Sequence, residues 1–171
     1  IHYFSKTADK FTRTGARTSY NVGRIGGGTS VNSIAFESWM EIDMRSEIPE
    51  NLNLVDSLLK ASVQQALQEH NAMKRMGPAL TVEIKKIGDR PSGELPDNLP
   101  LIQRAMAAVT YFGASPKVGR GSTNSNTPIA KGIPAVTLGR GGKGGNAHAL
   151  NEWWYDDERY KAIQVALLTL V

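Results

Sequence analysis

Four places in the chain hold side chains able to do chemistry. The run "GGKGGNAHALNEWW" (141–154) sets His148, one of three histidines, just past a glycine-rich stretch. A neutral imidazole there can serve as a zinc ligand; a solvent-exposed loop histidine is the plainer reading. No second His, Asp or Glu nearby has metal-ligand spacing, and His2 and His70 lie far upstream. In "GSTNSNTP" (121–128), Asn126 stands at a helix start, where it either caps the turn or donates to a substrate oxygen. Arg45 ends the stretch "SIAFESWMEIDMR" and is either a solvated arginine or a guanidinium fork for a carboxylate. Asn32, closing "GGGTSVN", is a turn residue tolerant of unusual φ or a hydrogen-bond donor to substrate.

The glycines of "GRGGKGG" (139–145), Gly142 among them, suggest a phosphate cradle at first sight. The run lacks the Gly-Lys-Ser/Thr ending and no helix follows it directly, so a mobile loop over a sheet edge is the simpler expectation. Trp153 and Trp154 read as packing residues.

These residues need elements to position them. Ile1, Phe4, Ala8 and Phe11 fall at helical spacing. A strand pattern in "TSYNVGRIGGG" is followed by strict alternation, with Ile34, Phe36, Met40, Ile42 and Met44 on one side and Glu37, Trp39, Glu41, Asp43 and Arg45 on the other. That is the signature of a half-buried antiparallel strand. Residues 52–71 carry an apolar helical stripe of Val55, Leu58, Leu59, Val63, Ala66 and Leu67, and "ALTVEIKKIG" (79–88) alternates again. Helices on one face of an antiparallel sheet, an α+β layer, is the expected result.

The Gly/Pro-rich segment 88–100 reads as a linker. Beyond it a helix is predicted near 99–112, with Asp97 or Asn98 as cap and Gly113 as stop. "PKVGRGS" and the apolar "IPAVTLG" are predicted strands, "NTPIAKG" a short helix, and "DDERYKAIQVALLTLV" a helix striped by Tyr160, Ile163, Leu167 and Leu170. Strands alternating with helices imply part of an α/β layer whose remaining strands lie elsewhere.

Composition narrows the class. The 171 residues are 40% apolar and 21% charged, a globular balance. A net charge of +4 with scattered Lys and Arg gives no nucleic-acid footprint, and no apolar run reaches the ~20 residues of a membrane span. The absence of cysteine removes disulfides, thiolate ligands and a cysteine nucleophile. Localisation cannot be read, because the start "IHYFSKTADK" resembles that of an excised piece.

Together, "GRIGGGTSVNSIAFESWMEIDMR" and "STNSNTPIAKGIPAVTLGRGGKGGNAHALNEWW" resemble two segments of the M20 zinc metallopeptidases. The first is similar to the lid: a glycine pair, an Asn, and an alternating strand ending in Arg. The second is similar to the end of the catalytic domain: a Ser/Thr-rich turn, "GIPAVTLG", a glycine loop, then "AH" with an acid four residues on. The resemblance covers nearly the whole chain. It departs at Asn124, where such proteins commonly carry Asp.

The resemblance implies a ferredoxin-like two-layer lid and dimerisation domain over residues 1–88, lacking its first strand, and the C-terminal part of an α/β catalytic domain over 89–171. It implies hydrolysis of amide bonds in small peptides or N-acyl amino acids by water activated between two zinc ions. It makes His148 a metal ligand, Arg45 the clamp on the substrate carboxylate, Asn32 a partner of the carbonyl or oxyanion, and Asn126 a donor near the carboxylate. Gly142 belongs to the loop 139–146 that gives backbone N–H groups and room beside the metal. A homodimer through the lid is implied as well. The general-base glutamate and the other ligands would lie upstream, so this chain alone is expected to be inactive. The alternatives are a non-catalytic binding or dimerisation module of the same ancestry, and a basic RNA-binding domain.

Overall fold

The computed structural model describes residues 1–171, which divide into two compact units, Ile1–Ser92 and Gly93–Val171. The division falls inside the Gly/Pro-rich segment, where proline and glycine restrict or loosen the backbone too much for either neighbouring element to continue. The fold is mixed, with five helices and two small antiparallel sheets.

The first unit contains α1 (His2–Arg13), β1 (Thr18–Gly27), β2 (Ser38–Ser46) and α2 (Pro49–Ala72). Strands β1 and β2 form an antiparallel hairpin in which Thr18 faces Ser46 and Gly27 faces Ser38. The ladder shifts between Val22 and Arg24, so Gly23 is the extra residue of a bulge. Pro49 opens α2, where its fixed φ and missing N–H cost nothing. Phe4 and Ala8 of α1 meet Val55 and Leu59 of α2, each pair spaced by four residues and so on one helix face. Tyr20, Ile42 and Met44 close the core from the sheet side. Phe4 and Val55 are each 1% exposed, and burial of such a side chain stabilises by about 1.5–3 kcal/mol.

The alternation expected from Ile34 onwards holds only from Ser38. Ile42 and Met44 face the core, but Ile34 and Phe36 lie in the hairpin loop, 100% and 78% exposed. The chain turns with positive φ at Gly27 and Gly28, which delays the ladder past them.

Residues 79–88 do not form the expected strand. Their alternating apolar residues are present, but Leu80, Val82 and Ile84 stay 59%, 43% and 42% exposed and no neighbouring strand takes up the backbone. Asn71 pins the start of the segment: its side-chain oxygen accepts the Leu80 N–H at 2.7 Å and its amide donates to the Leu80 carbonyl at 3.0 Å. Between this segment and β2 runs a groove of about 490 Å³ lined by Phe4, Phe36, Met40, Val63, Leu67 and Leu80.

The second unit holds α3 (Pro100–Tyr111), α4 (Asn126–Ala130), β3 (Lys143–Gly145), β4 (Trp153–Tyr155) and α5 (Arg159–Leu170). Helix α3 packs on α5, with buried Ala105 and Ala108 on the former and Thr169 on the latter. Gly113 ends α3 as expected, at φ +79 with its N–H on the Thr110 carbonyl. The expected cap is displaced: Leu99 is the N-cap, without a side-chain bond, and Asp97 gives its carbonyl to Gln103 instead.

Neither "PKVGRGS" nor "IPAVTLG" forms a strand. Ala135, Val136 and Leu138 are half-buried, yet an apolar strand of a parallel sheet requires partner strands that this unit lacks. The stripe of α5 also differs from expectation: Tyr160, Ile163, Leu167 and Leu170 are 56%, 55%, 60% and 79% exposed.

Candidate functional site

The glycine run does not hang as a loose loop. Lys143, Gly144 and Gly145 pair antiparallel with Tyr155, Trp154 and Trp153. Glycine is required here by contact with indoles. A Cβ on Gly145 would lie 2.7 Å from Trp153 Nε1, and one on Gly142 would lie 2.6 Å from Trp154 Cζ2. Gly142 also has φ +72, a backbone state that side chains disfavour. The Trp154 Nε1–H donates to the Gly141 carbonyl at 3.3 Å. The guanidiniums of Arg140 and Arg159 each lie 5.8 Å from the Trp154 ring centre. The tryptophans do pack, as expected, and what they pack on is glycine backbone.

The segment joining β3 to β4 carries His148. Asn146 and His148 take left-handed φ values of +56 and +67. Asn is enriched in that region, and His also visits it more than most residues. The turn is closed by backbone bonds from the Ala149 N–H to the Asn146 carbonyl and from the Glu152 N–H to the Ala149 carbonyl, both 3.0 Å. A third bond is decisive: the His148 N–H donates to Glu152 Oε2 at 3.0 Å. A left-handed non-glycine residue costs roughly 1–3 kcal/mol. A hydrogen bond to a charged acceptor contributes about 1.5–3 kcal/mol before solvent screening. The two are comparable, so Glu152 is enough to hold the bend. The His148 side chain is exposed, while Glu152 lines a cleft of about 200 Å³ with Arg140, Gly142, Ala147, Trp153 and Trp154.

Asn126 begins α4 with its side-chain oxygen accepting the Thr123 N–H at 2.7 Å, a closure of the preceding turn. Thr137 links to this turn through its hydroxyl, 2.8 Å from that of Thr123 and 2.7 Å from that of Ser125.

Asn32 and Arg45 belong to the first unit, at the two ends of its hairpin. Asn32 is in the exposed loop beyond Ser38, its side-chain oxygen bonded by the Ser30 hydroxyl. Arg45 faces Ser19 in the ladder and its Nε donates to Asp43 Oδ2 at 2.5 Å. From Ser38 to Arg45 is seven residues (45 − 38), and at ~3.4 Å per residue that is ~24 Å. One hairpin therefore cannot bring Asn32 and Arg45 to the same small substrate.

A structural zinc ion takes four donors, and His148 offers one. The chain places no group of three or more His, Cys, Asp or Glu side chains where they could hold a metal ion. These residues do not by themselves fit a bound ion.

Two features went unread in the sequence: the bond from Glu152 to the His148 amide, and the seating of indoles on glycines. Their only sequence signals are the four-residue spacing from His148 to Glu152 and the adjacency of "GGKGG" to "WW".

No family model matches the chain. It is similar to an uncharacterized protein of Bacillus subtilis (strain 168), YqjE, with 26% identity over 157 residues. The match takes in 91% of this chain and 40% of that protein, so the chain spans well under half the length of its relative.

Proposed function

We propose that this chain is part of an M20-type zinc metallopeptidase that hydrolyses amide bonds of small peptides or N-acyl amino acids. The observation that supports it is the His148 turn: an exposed imidazole on a left-handed residue, its amide fixed by the acid four positions on. That is an arrangement in which a ring is aimed by its backbone while both its nitrogens stay available. His148 would contribute one metal ligand, the remaining ligands and the general-base glutamate belonging to the longer protein.

The chain's other residues would bind and orient substrate. Arg45 would hold a substrate carboxylate, exchanging its present partner Asp43 for it. Asn32 would donate to the scissile carbonyl, and Asn126 would bond near the carboxylate. Gly142, kept free of a side chain by Trp154, would leave room beside the ring. Because Asn32 and Arg45 occupy opposite ends of one hairpin, they would serve two different sites, as in a homodimer formed through the first unit.

The same reading makes the first unit a ferredoxin-like lid. Its β-α-β-β-α-β pattern has one strand ahead of α1 and another at residues 79–88. The apolar groove between β2 and Leu80 offers the first of these a seat beside an unpaired edge.

The test is zinc stoichiometry and turnover of the full-length protein on dipeptides and N-acetyl amino acids. His148→Ala is expected to lose one zinc equivalent and nearly all hydrolysis. Unchanged zinc content and rate in that variant would overturn the proposal. A wild-type protein that binds these compounds without cleaving them would favour the binding module instead.

A further inference from the structure

We propose that Glu152 is a positioning residue for His148: its carboxylate, by accepting the His148 amide, fixes the backbone from which the imidazole projects. This rests on the reading of His148 as a ligand, and gives that reading a second residue.

Three observations bear on it. The bond from the His148 N–H to Glu152 Oε2 is 3.0 Å, an ordinary length for a full hydrogen bond. His148 has φ +67, so without a restraint its backbone returns to the broader right-handed and extended regions. The neighbouring backbone bonds fix Ala149 and Glu152 but not the His148 amide, which leaves the carboxylate as the group that does so.

Glu152 is itself held in place. It directly precedes β4, whose first two residues are the indoles seated on Gly145 and Gly142. The glycine–tryptophan hairpin thus anchors the carboxylate, and the carboxylate anchors the histidine. A charge is not needed for this task, only an acceptor: Glu152→Gln keeps an oxygen in reach, whereas Glu152→Ala removes it.

The experiment uses the full-length protein and two readouts. Hydrogen exchange at the His148 amide, measured on the metal-free protein, is expected to quicken by about tenfold or more in Glu152→Ala and to change little in Glu152→Gln. Zinc affinity, measured by competition with a chelator, is expected to fall about 10–100-fold in Glu152→Ala and to recover largely in Glu152→Gln. Adding Glu152→Ala to His148→Ala should then weaken zinc no further. Thermal midpoints of all variants separate loss of fold from loss of position.

Unchanged exchange at His148 in a folded Glu152→Ala protein would overturn the proposal. So would equal losses of affinity in the Gln and Ala variants, since these would assign the effect to charge. If instead His148→Ala leaves zinc affinity intact while exchange responds as expected, the ligand reading fails and the backbone clamp stands.

Discussion

Gly145 lies under the indole of Trp153, the residue it faces across the β3–β4 ladder. The pair sets the hairpin that carries His148, because the indole occupies the space a Cβ on residue 145 would need. Gly26 repeats the arrangement in the first unit, where it faces Trp39 and a Cβ would lie 2.6 Å from Trp39 Cζ2.

Gly145→Ala is therefore expected to destabilise the hairpin, by about 1–3 kcal/mol as for other overpacked sites. Gly142→Ala should cost more, since it adds a left-handed φ to the clash with Trp154. Gly15→Ala is the control: φ is +76 there, but nothing lies within 4 Å, so only the backbone penalty applies. Denaturant midpoints would rank the three. Tryptophan emission should shift to the red in the first two variants alone.

A second prediction concerns alkaline pH. The Tyr20 hydroxyl donates to Asp9 Oδ1 at 2.5 Å, and this bond, aided by burial, pushes its pKa up to about 12. The unfolded chain loses that proton near the ordinary tyrosine value of about 10. Above that pH the folded state holds a proton that the unfolded state has given up, so stability falls as pH rises. The contribution is complete below about 10 and gone above the folded value of about 12. Tyr20→Phe should flatten the decline between these limits, as read from urea midpoints against pH. An unaltered slope would show that the Tyr20–Asp9 bond carries none of it.

Local periodicity made several elements legible. The four-residue spacings of Phe4–Ala8 and Val55–Leu59 announced two helices and the core between them, and Gly113 announced the end of α3. Residues 79–88 and 133–139 show where such reading stops. Their apolar patterns suit strands, but a ladder requires a second backbone at the right distance, and nothing local supplies it. The site divides in the same way. His148 stood out by residue type and context, whereas its left-handed φ and the bond to Glu152 follow from a turn closed by several weak bonds together. Asn32 and Arg45 looked like one binding surface because they share a motif; the extended hairpin sets them ~24 Å or more apart.

That separation gives the last prediction, which depends on the proposed hydrolase and its dimer. Asn32 and Arg45 sit at opposite ends of the β1–β2 hairpin, so in a two-fold dimer each site would draw Asn32 from one copy and Arg45 from the other. Full-length Asn32→Ala and Arg45→Ala homodimers should each lose about tenfold or more in kcat/KM. Mixing and re-forming the dimers yields heterodimers in which one site carries both substitutions and the other carries neither. With random exchange, half the dimers are mixed and each has one intact site, so about a quarter of wild-type activity should return. Two variants impaired in a single shared site would stay at their own levels after mixing. A mixture no more active than its components, with subunit exchange verified by mass spectrometry, would place both residues on one site and require the hairpin to bend.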